Sequence, residues 1–532
     1  MDHAATYLSY ASTNFFSAML TDYIQQDKKL KPFYDQPVSV EGVKAVMENR
    51  KKISTDRSLL VQVLNEQYSG IVLTPKQKDN ISSLSNTNTY TVCTAHQPNI
   101  FTGPLYFIYK ILHAVKLADH LNTEIPGAQF VPVYYMGSED ADLDELGHIY
   151  TEGEKRVWNT KQTGAVGRMK VDKALLQLLE QVSGQIAVLP NGNTIIDVMR
   201  NCYKEGETIA VATFKLVNAL FSKFGLLVIL PDNTALKSTF IPVIEKELLT
   251  GFSHKAVTET MAAFPAEYKV QAAGREINLF YLTDNARERI ILQDGKYLVN
   301  NTGIEFSKET ILNELRDHPE RFSPNVILRP VFQETILPNV AFIGGGGEIA
   351  YWLELKKVFE TVNVSYPVLV TRNSFLLIEK KYKGLVDALQ LSETDLFKPA
   401  LDIINHFVKR ETKLQLDLAK EKEQLAAVYI QLKKAAGEVD KTLAQHTEAL
   451  QVKATKKIEQ LEKKLLKAEK QKFEAEQRQI EKIKQQLFPN NSLQERVENF
   501  MAFYAKWGED FIDMLYERSL TLEQQFCIIY TV

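Results

Sequence analysis

Residues 90–136 read YTVCTAHQPNIFTGPLYFIYKILHAVKLADHLNTEIPGAQFVPVYYM. The first six are rich in β-forming residues and predict a strand, and residues 130–136 predict a second one. Between them, residues 96–103 form a turn and Pro104 opens a helix, where the missing N–H of proline costs no hydrogen bond. Strand, helix and strand make one βαβ unit. This order implies parallel pairing and an α/β domain.

Three further short apolar runs, at residues 226–230, 341–343 and 367–370, predict additional strands that each lead into a polar or glycine-rich loop. In parallel sheets, ligands collect outside the carboxyl ends of the strands. We therefore expect the loops after five strands to converge on one site. The intervals near 150–220 and 235–325 are too long for simple crossovers, so they predict inserted subdomains.

Composition excludes several classes of protein. The chain has 532 residues, 45% hydrophobic and 24% charged, which is typical of a soluble protein with more than one domain. A formal net charge of −3 gives no indication of nucleic-acid or membrane binding. The sequence has no run of about 18 apolar residues and no secretory signal pattern. The expected location is the cytoplasm.

The three cysteines, Cys93, Cys202 and Cys527, lie far apart and form no CxxC motif. A reduced protein without a structural zinc site is the expectation. The histidines show no ligand spacing with cysteines or carboxylates, so we predict no metal site.

The composition changes after about residue 400. Residues 411–487 contain no proline and one glycine, Gly437. Lysine is interleaved with glutamate there, which is typical of a solvated helical surface rather than a nucleic-acid site. We predict two long helices folded back on each other as an antiparallel coiled coil, with a second helix of about 50 residues. The first heptad positions are Leu414, Leu418, Leu425, Val428, Leu432 and Ala435.

These patterns divide the chain into four parts. Residues 1–89 form an N-terminal helical segment, and residues 90–385 form the α/β core with its insertions. Residues 386–490 form the coiled-coil domain. Residues 491–532 form a helical tail that returns to the core.

The turn after the first strand offers an anion site. The first N–H groups of a helix are unpaired and point outward, so His96 and Asn99 stand where a phosphate or carboxylate would bind. Thr102 caps the helix or bonds a phosphate, and Gly103 permits close approach of the backbone. The alternative is a tight strand–helix connection that binds nothing.

Five carboxylates fall within residues 139–145, directly after the second strand. Glu139, Asp140 and Asp142 are candidates for amine recognition, for general-base work, or for holding Mg²⁺ through a nucleotide. The alternative is an acidic first helical turn that the helix dipole stabilises, which accounts for Asp142 more readily than for Glu139 and Asp140.

A second group of candidates surrounds four consecutive glycines at 344–347. Their cost in backbone entropy predicts a place where a ligand approaches the main chain, although no Walker A motif follows. Two arginines are candidate anion clamps. A flexible turn, surface ion pairs and core packing are the alternatives. The candidate ligand-binding residues here are Arg329, Gln333, Glu334, Gly345, Gly346, Gly347, Glu348, Tyr351, Trp352, Arg372 and Ser374.

Four segments, residues 94–110, 132–140, 322–352 and 494–497, together resemble the cysteine-adding enzyme family of bacillithiol biosynthesis, BshC. Their order and spacing, and the helical region before the last of them, match the family over nearly the whole chain. The resemblance implies a Rossmann-like core similar to class I aminoacyl-tRNA synthetases, with connective insertions. It also implies homodimerisation through the coiled coil.

The resemblance further implies a ligase that joins the carboxyl group of L-cysteine to the glucosamine amine of glucosaminyl-malate, the final step of bacillithiol synthesis. His96, Glu139 and Asp140 are then the catalytic residues. Arg329, Arg372 and the glycine loop would bind the malate carboxylates or the cysteine. A nucleotide, ATP or ADP, is the expected cofactor. Two other classes remain open: a nucleotidyltransferase that activates another small carboxylic acid, and a non-catalytic coiled-coil scaffold.

Overall fold

The computed structural model describes residues 3–272 and 274–531. The chain forms two compact units, which are Met1–Leu377 with Ser492–Val532, and Ile378–Asn491. Within the residues described, no helix is long and apolar enough to cross a membrane.

In the part of the chain that the structure describes, the strands belong to four sheets. In chain order they are β1 (His3–Leu8), β2 (Thr89–His96), β3 (Gln129–Met136), β4 (His148–Thr151), β5 (Glu154–Val157), β6 (Leu227–Ile229), β7 (Leu279–Leu282), β8 (Arg287–Gln293), β9 (Lys296–Val299), β10 (Glu305–Phe306), β11 (Phe322–Pro324), β12 (Asn339–Gly344), β13 (Val368–Thr371), β14 (Ser374–Ile378) and β15 (Phe526–Thr531).

Helices surround these sheets. The first unit begins with α1 (Tyr10–Thr13), α2 (Ala18–Ile24), α3 (Val40–Arg50), α4 (Arg57–Gln67), α5 (Pro75–Ser83), α6 (Tyr106–Glu124), α7 (Leu143–Leu146), α8 (Lys173–Ile186), α9 (Gly192–Cys202), α10 (Ile209–Phe221), α11 (Thr234–Ser238), α12 (Ile241–Thr250), α13 (Phe252–Ala263), α14 (Lys308–Asp317), α15 (Arg329–Ile336), α16 (Gly346–Leu353) and α17 (Lys356–Thr361). The second unit contains α18 (Lys380–Ala388), α19 (Glu393–Leu396), α20 (Ala400–Glu411), α21 (Ala419–Val439), α22 (Lys441–Lys470) and α23 (Glu474–Leu487). The first unit is completed by α24 (Gln494–Val497), α25 (Phe500–Trp507) and α26 (Glu509–Arg518).

The predicted Rossmann-like parallel sheet is confirmed. Its five strands lie in the order β13-β12-β2-β3-β6, and all four neighbouring pairs are parallel. Strands β3 and β6 follow β2 outward on one side, whereas β12 and β13 lie on the other side. The direction of the strand order therefore reverses between β2 and β12. Such a reversal opens a crevice at the carboxyl ends of the two strands.

The two long intervals are folded subdomains. The first carries the β4–β5 hairpin and α8 to α10. The second carries α11 to α14 and most of an antiparallel sheet in the order β10-β9-β8-β7-β11. The second subdomain supplies one wall of the cavity described below.

The two ends of the chain differ from the prediction, which gave them only helices and loops. Strand β1 pairs antiparallel with β15, from His3 opposite Thr531 to Leu8 opposite Phe526. All six residues of β15 are buried, because the run FCIIYT is apolar and rich in β-forming residues.

The predicted coiled coil is present as α21 and α22. They run antiparallel, because Lys433 pairs with Glu448 at 2.8 Å and Lys422 pairs with Glu462 at 3.0 Å. The prediction was wrong in two details. Residues 412–418 are not helical, and the second long helix is interrupted by a 3-10 turn at Gln471–Phe473. Beyond that break α23 turns its apolar residues toward α20, burying Ile480 and Ile483.

Candidate active site

A cavity of about 580 Å³ opens at the carboxyl edge of the parallel sheet. Residues that end or follow all five of its strands line it, from His96 at the end of β2 to Arg372 after β13. The opposite wall comes from the second subdomain, chiefly from Leu279 and Phe280 on β7 and Arg287 on β8. The convergence expected from parallel topology is therefore present in the structure.

The lining carries many charges. Four carboxylates contribute to it, Glu139, Asp140, Glu145 and Glu348. The cations outnumber them, and all are guanidinium groups, which suit planar carboxylate and phosphate groups. They belong to Arg275, Arg287, Arg289, Arg329, Arg372 and Arg496. A lining with more guanidinium groups than carboxylates favours an anionic ligand.

The turn before α6 has an unusual backbone. Phe101, Thr102 and Gly103 have successive positive φ angles of 51°, 70° and 65°. Such angles are strained for residues that carry a Cβ atom. Asn499 holds the turn by donating from Nδ2 to the carbonyl oxygens of Phe101 at 2.9 Å and Gly103 at 2.6 Å. A Cβ at position 103 would lie 2.9 Å from the Cβ of Asn99.

The anion site expected at the start of α6 is mostly absent, because backbone N–H groups there already donate to carbonyls of the protein. The N–H of Leu105 donates to the carbonyl of Glu498 at 2.8 Å, and the N–H of Phe107 donates to Pro104. Asn99 and Thr102 are buried and, with Gly103, do not line the cavity. These three residues shape the turn, and His96 is its member that reaches the cavity.

His96 lies between two aromatic rings, with ring centroids 5.4 Å from both Tyr106 and Phe107. Burial, together with the nearby charges of Lys110 and Arg372, holds the pKa of His96 well below its usual range. The imidazole is therefore neutral at pH 7. Its Nε2 atom is buried and has no hydrogen-bond partner within the described structure, so it is free for a ligand.

The glycine loop is capped by the side chain of Glu348. Glu348 accepts hydrogen bonds from the N–H of Gly345 at 2.9 Å and from Nζ of Lys110 at 2.6 Å. Lys110, buried on α6, also donates to the carbonyl of Ala95 at the end of β2. The helix start at α16 is thus occupied by its own carboxylate. Gly345, Gly346 and Gly347 all line the cavity, and a Cβ at position 347 would meet no protein atom within 4 Å.

Arg329 and Tyr351 reach the cavity together, because Nη2 of Arg329 donates to the Tyr351 hydroxyl at 2.7 Å. Gln333 and Glu334 lie behind Arg329 and do not line the cavity. Glu334 forms a buried ion pair with Arg50 of α3. Burial raises the pKa of Glu334 to about 7, against the lowering effects of Arg50 and of amide hydrogen bonds.

Arg372 is buried at the cavity edge and is held by the C-terminal segment. Its Nη2 donates to Glu495 at 2.6 Å, and its Nη1 donates to the hydroxyl of Ser374 at 3.1 Å. Ser374 itself does not line the cavity. Trp352 is also outside it, since the indole is fully buried and stacks on Phe342 with centroids 4.3 Å apart.

The acidic segment divides into two parts. Glu139 lines the cavity and pairs with the buried Lys237, which also lies 3.3 Å from Asp232. Burial raises the pKa of the Glu139 carboxyl, although Lys237 opposes the shift. Asp140 accepts from Gln97 at 3.2 Å. Asp142 instead caps α7 by accepting from the N–H of Glu145 at 3.0 Å. This is the structural role at a first helical turn that the sequence left open for Asp142.

Sequence reasoning missed four of the six arginines. Arg287 and Arg289 are two residues apart on β8, so they point to the same face of the strand. This spacing, two arginines on one face of a strand, could have indicated an anion-binding surface from the sequence alone. Arg275 lies in a loop, and Arg496 lies more than 200 residues away in the C-terminal segment. Within the described residues, no group of three histidine, cysteine or carboxylate side chains could hold a metal ion.

Two family descriptions match the chain. The N-terminal Rossmann-like domain of bacillithiol biosynthesis BshC matches residues 4–373, and the C-terminal coiled-coil domain of BshC matches residues 375–531. Among solved structures, a chain described as an arginyl-tRNA synthetase from Campylobacter jejuni aligns with 84% of this chain and 97% of its own length. Its sequence identity to this chain is 10% and its TM-score is 0.21.

Curated relatives match over nearly their whole length and carry the name "Putative cysteine ligase BshC". The relative from Flavobacterium johnsoniae is 42% identical and covers 98% of this chain and 99% of its own. The one from Christiangramia forsetii is 40% identical and covers 98% of each chain. The one from Bacillus cereus strain B4264 is 26% identical over 96% of this chain and 97% of its own. The chain therefore belongs to the BshC family of bacillithiol biosynthesis.

Proposed function

We propose that this protein is the cysteine ligase that joins the carboxyl group of L-cysteine to the glucosamine amine of glucosaminyl-malate. The product is bacillithiol, and the reaction forms one amide bond. The single observation that supports this proposal is the cavity, where six arginines and four carboxylates meet at the reversal of strand order.

The charges of the cavity suit both parts of the acceptor substrate. Malate carries carboxylates, for which guanidinium groups are matched hydrogen-bond donors. The glucosamine amine is a cation until it loses a proton, and Glu139 and Asp140 supply negative charge on the same lining. An amine attacks a carbonyl only when it is neutral, so one of these carboxylates would hold the amine and accept its proton.

The neutral His96 suits a different task. A histidine whose pKa is well below its usual range is a weak base, so proton removal from the amine is better assigned to a carboxylate. The Nε2 atom of His96 has no partner within the described structure and lies at the cavity. In the tautomer that carries its hydrogen on Nε2, His96 would donate to the carbonyl oxygen of the activated cysteine, which gains negative charge during the attack. Lys110 and Arg372 add positive charge nearby.

A nucleotide, ATP or ADP, is part of the proposal. When bound, ATP would activate the cysteine carboxyl as a phosphoryl or adenylyl derivative. The α16 start is capped by Glu348, so phosphates would be held by guanidinium groups instead. Arg275 and Arg496 are exposed members of the lining and are suited to this role.

The proposed ligase is tested by incubating the purified protein with glucosaminyl-malate, L-cysteine and ATP, followed by mass spectrometry. We expect a product heavier than the acceptor by one cysteine residue. His96→Ala should lose activity while its melting temperature stays near that of the wild type. A nucleotidyltransferase for another acid would instead show pyrophosphate exchange with that acid and no bacillithiol. Absence of product with every activated form of cysteine would overturn the proposal.

We also propose that the coiled coil forms a homodimer. In the second unit, α21 has no buried side chain, and Val428 and Leu432 are 52% and 50% exposed. Light scattering should give about twice the chain mass of 60.5 kDa. Leu432→Glu should shift that value toward the monomer, whereas a monomeric wild type would refute dimerisation.

A further inference from the structure

A chain of buried hydrogen bonds connects α3 with the cavity, although no residue of α3 lines the cavity. Arg50, the last residue of α3, donates from Nε to the carbonyl of Asn339 at 2.8 Å and from Nη1 to the carbonyl of Glu334 at 2.7 Å. Its Nη2 pairs with the Glu334 carboxylate. The side chains of Arg50 and Glu334 are 2% and 0% exposed.

The network continues from Glu334 to Arg329 through one amide. Gln333 donates from Nε2 to Oε1 of Glu334 at 2.9 Å, and its Oε1 accepts from Nη1 of Arg329 at 3.2 Å. The same Glu334 oxygen accepts from Nδ2 of Asn339 at 2.8 Å. The series of hydrogen bonds therefore leads from Arg50 to the guanidinium of Arg329, which lines the cavity.

The orientation of the Gln333 amide is fixed by its two neighbours. Oε1 of Glu334 accepts from both Gln333 and Asn339, and a guanidinium only donates hydrogen bonds. A reversed amide would place its NH₂ group against Arg329 and its oxygen against Glu334, so both contacts would be repulsive. Glu334 thus determines which atom of Gln333 faces Arg329. The hydroxyl of Tyr351 holds the other edge of the guanidinium.

Stability alone is a weak explanation for such a network. Burying an ion pair costs desolvation, and well-packed apolar residues of similar volume often serve equally well. The polar version adds a hydrogen bond from Arg329 to Gln333, which favours one orientation of the guanidinium. An unrestrained arginine has many rotamers, and ordering one at the moment of binding weakens affinity.

We propose that Glu334 is a positioning residue that acts through Gln333 to hold the guanidinium of Arg329 in place for a carboxylate of the substrate. The proposal deepens the ligase function and rests on it for the identity of the ligand, glucosaminyl-malate. Glu334 and Gln333 contact no substrate in this account, and Arg329 does.

The test uses Gln333→Met, which keeps the length of the side chain and removes the amide. Its crystal structure should show Arg329 in a different rotamer or in several. The KM for glucosaminyl-malate should rise about tenfold while the KM for cysteine stays within about twofold, because the variant must order one arginine side chain when the substrate binds. Glu354→Gln is the matched control. The buried carboxylate of Glu354 accepts from the backbone N–H groups of Gln271 and Ala272, and neither of these two residues lines the cavity.

A double-mutant cycle separates positioning from general loss of structure. In an Arg329→Lys background, Gln333→Met should change KM less than about twofold, because the endpoint of the network is already lost. Glu334→Gln should raise the KM for glucosaminyl-malate in the same direction as Gln333→Met, and an unchanged KM would contradict the proposal. An unmoved Arg329 in the Gln333→Met crystal, or KM effects that multiply independently, would overturn the proposal. If the wild type makes no bacillithiol, the ligase function fails, and the position of Arg329 in the variant still decides the positioning role.

Discussion

His113 gives the sharpest prediction about stability. It lies on α6, is 1% exposed, and is held between two backbone segments of the first unit. Its Nε2 contacts the carbonyl of Thr521 at 2.8 Å, and its Nδ1 accepts from the N–H of Asn373 at 3.0 Å. This pattern requires the neutral ring with hydrogen on Nε2. A second proton, on Nδ1, would lie against the N–H of Asn373 and near the positive charge of Arg372.

The magnitude follows from the shift in pKa. Burial lowers the pKa of His113 from 6.5 to about 4, and the positive charge of Arg372 adds to this effect, although Thr521 and Glu523 oppose it. Between pH 7 and pH 5 the unfolded chain takes up about 0.7 of a proton at this residue, whereas the folded protein takes up very little. The stabilisation is complete above the unfolded pKa and is lost as the pH falls, by about 2 kcal/mol at pH 5.

The assay is urea unfolding followed by tryptophan fluorescence at pH 7 and pH 5. All three tryptophans, at positions 158, 352 and 507, belong to the first unit, so the signal reports on it. His113→Asn cannot titrate and keeps an oxygen near Asn373. Its loss of stability between the two pH values should be smaller than that of the wild type by about 2 kcal/mol. His96 contributes equally to both proteins and cancels. An equal loss in wild type and variant would refute the reasoning.

Three smaller predictions follow from individual contacts. Asn499→Ala removes the donor that holds the strained turn before α6, and urea unfolding should show a loss of about 2 kcal/mol. Lys237→Met removes the cation beside Glu139, so the pKa of that carboxyl should rise and the acidic limb of the kcat/KM profile should move to higher pH; an unmoved limb would remove Glu139 from proton transfer. Lys422→Ala breaks a partly exposed pair with Glu462, and thermal unfolding followed by circular dichroism should give the same melting temperature as the wild type within error.

The parallel core could be predicted because its signals are local. The β2–α6–β3 pattern lies within 50 consecutive residues, and its apolar spacing is unambiguous. His96, Glu139 and Gly345 could be placed near one another because parallel strands share a carboxyl edge. Trp352 could not be excluded in advance, since an indole after a glycine loop serves equally well as a stacking surface or as core.

The opposite wall of the cavity was beyond such reasoning. Arg275, Arg287 and Arg289 belong to an insertion whose docking onto the sheet depends on long-range packing. In the coiled coil, by contrast, the sequence held information that was misinterpreted. The apolar residues Ile480 and Ile483 are one residue out of phase with those before them, and this change of phase marks the break between α22 and α23.

The central claim is that the arginines of the cavity recognise the malate group of the acceptor. The most direct measurement compares kcat/KM for glucosaminyl-malate with kcat/KM for glucosamine, which has the same amine and no carboxylate. Two lost carboxylate–guanidinium contacts, each worth about 1.5–3 kcal/mol, predict a preference of at least about a hundredfold for glucosaminyl-malate. Arg287→Ala should reduce this preference. Equal values for the two acceptors would contradict the account.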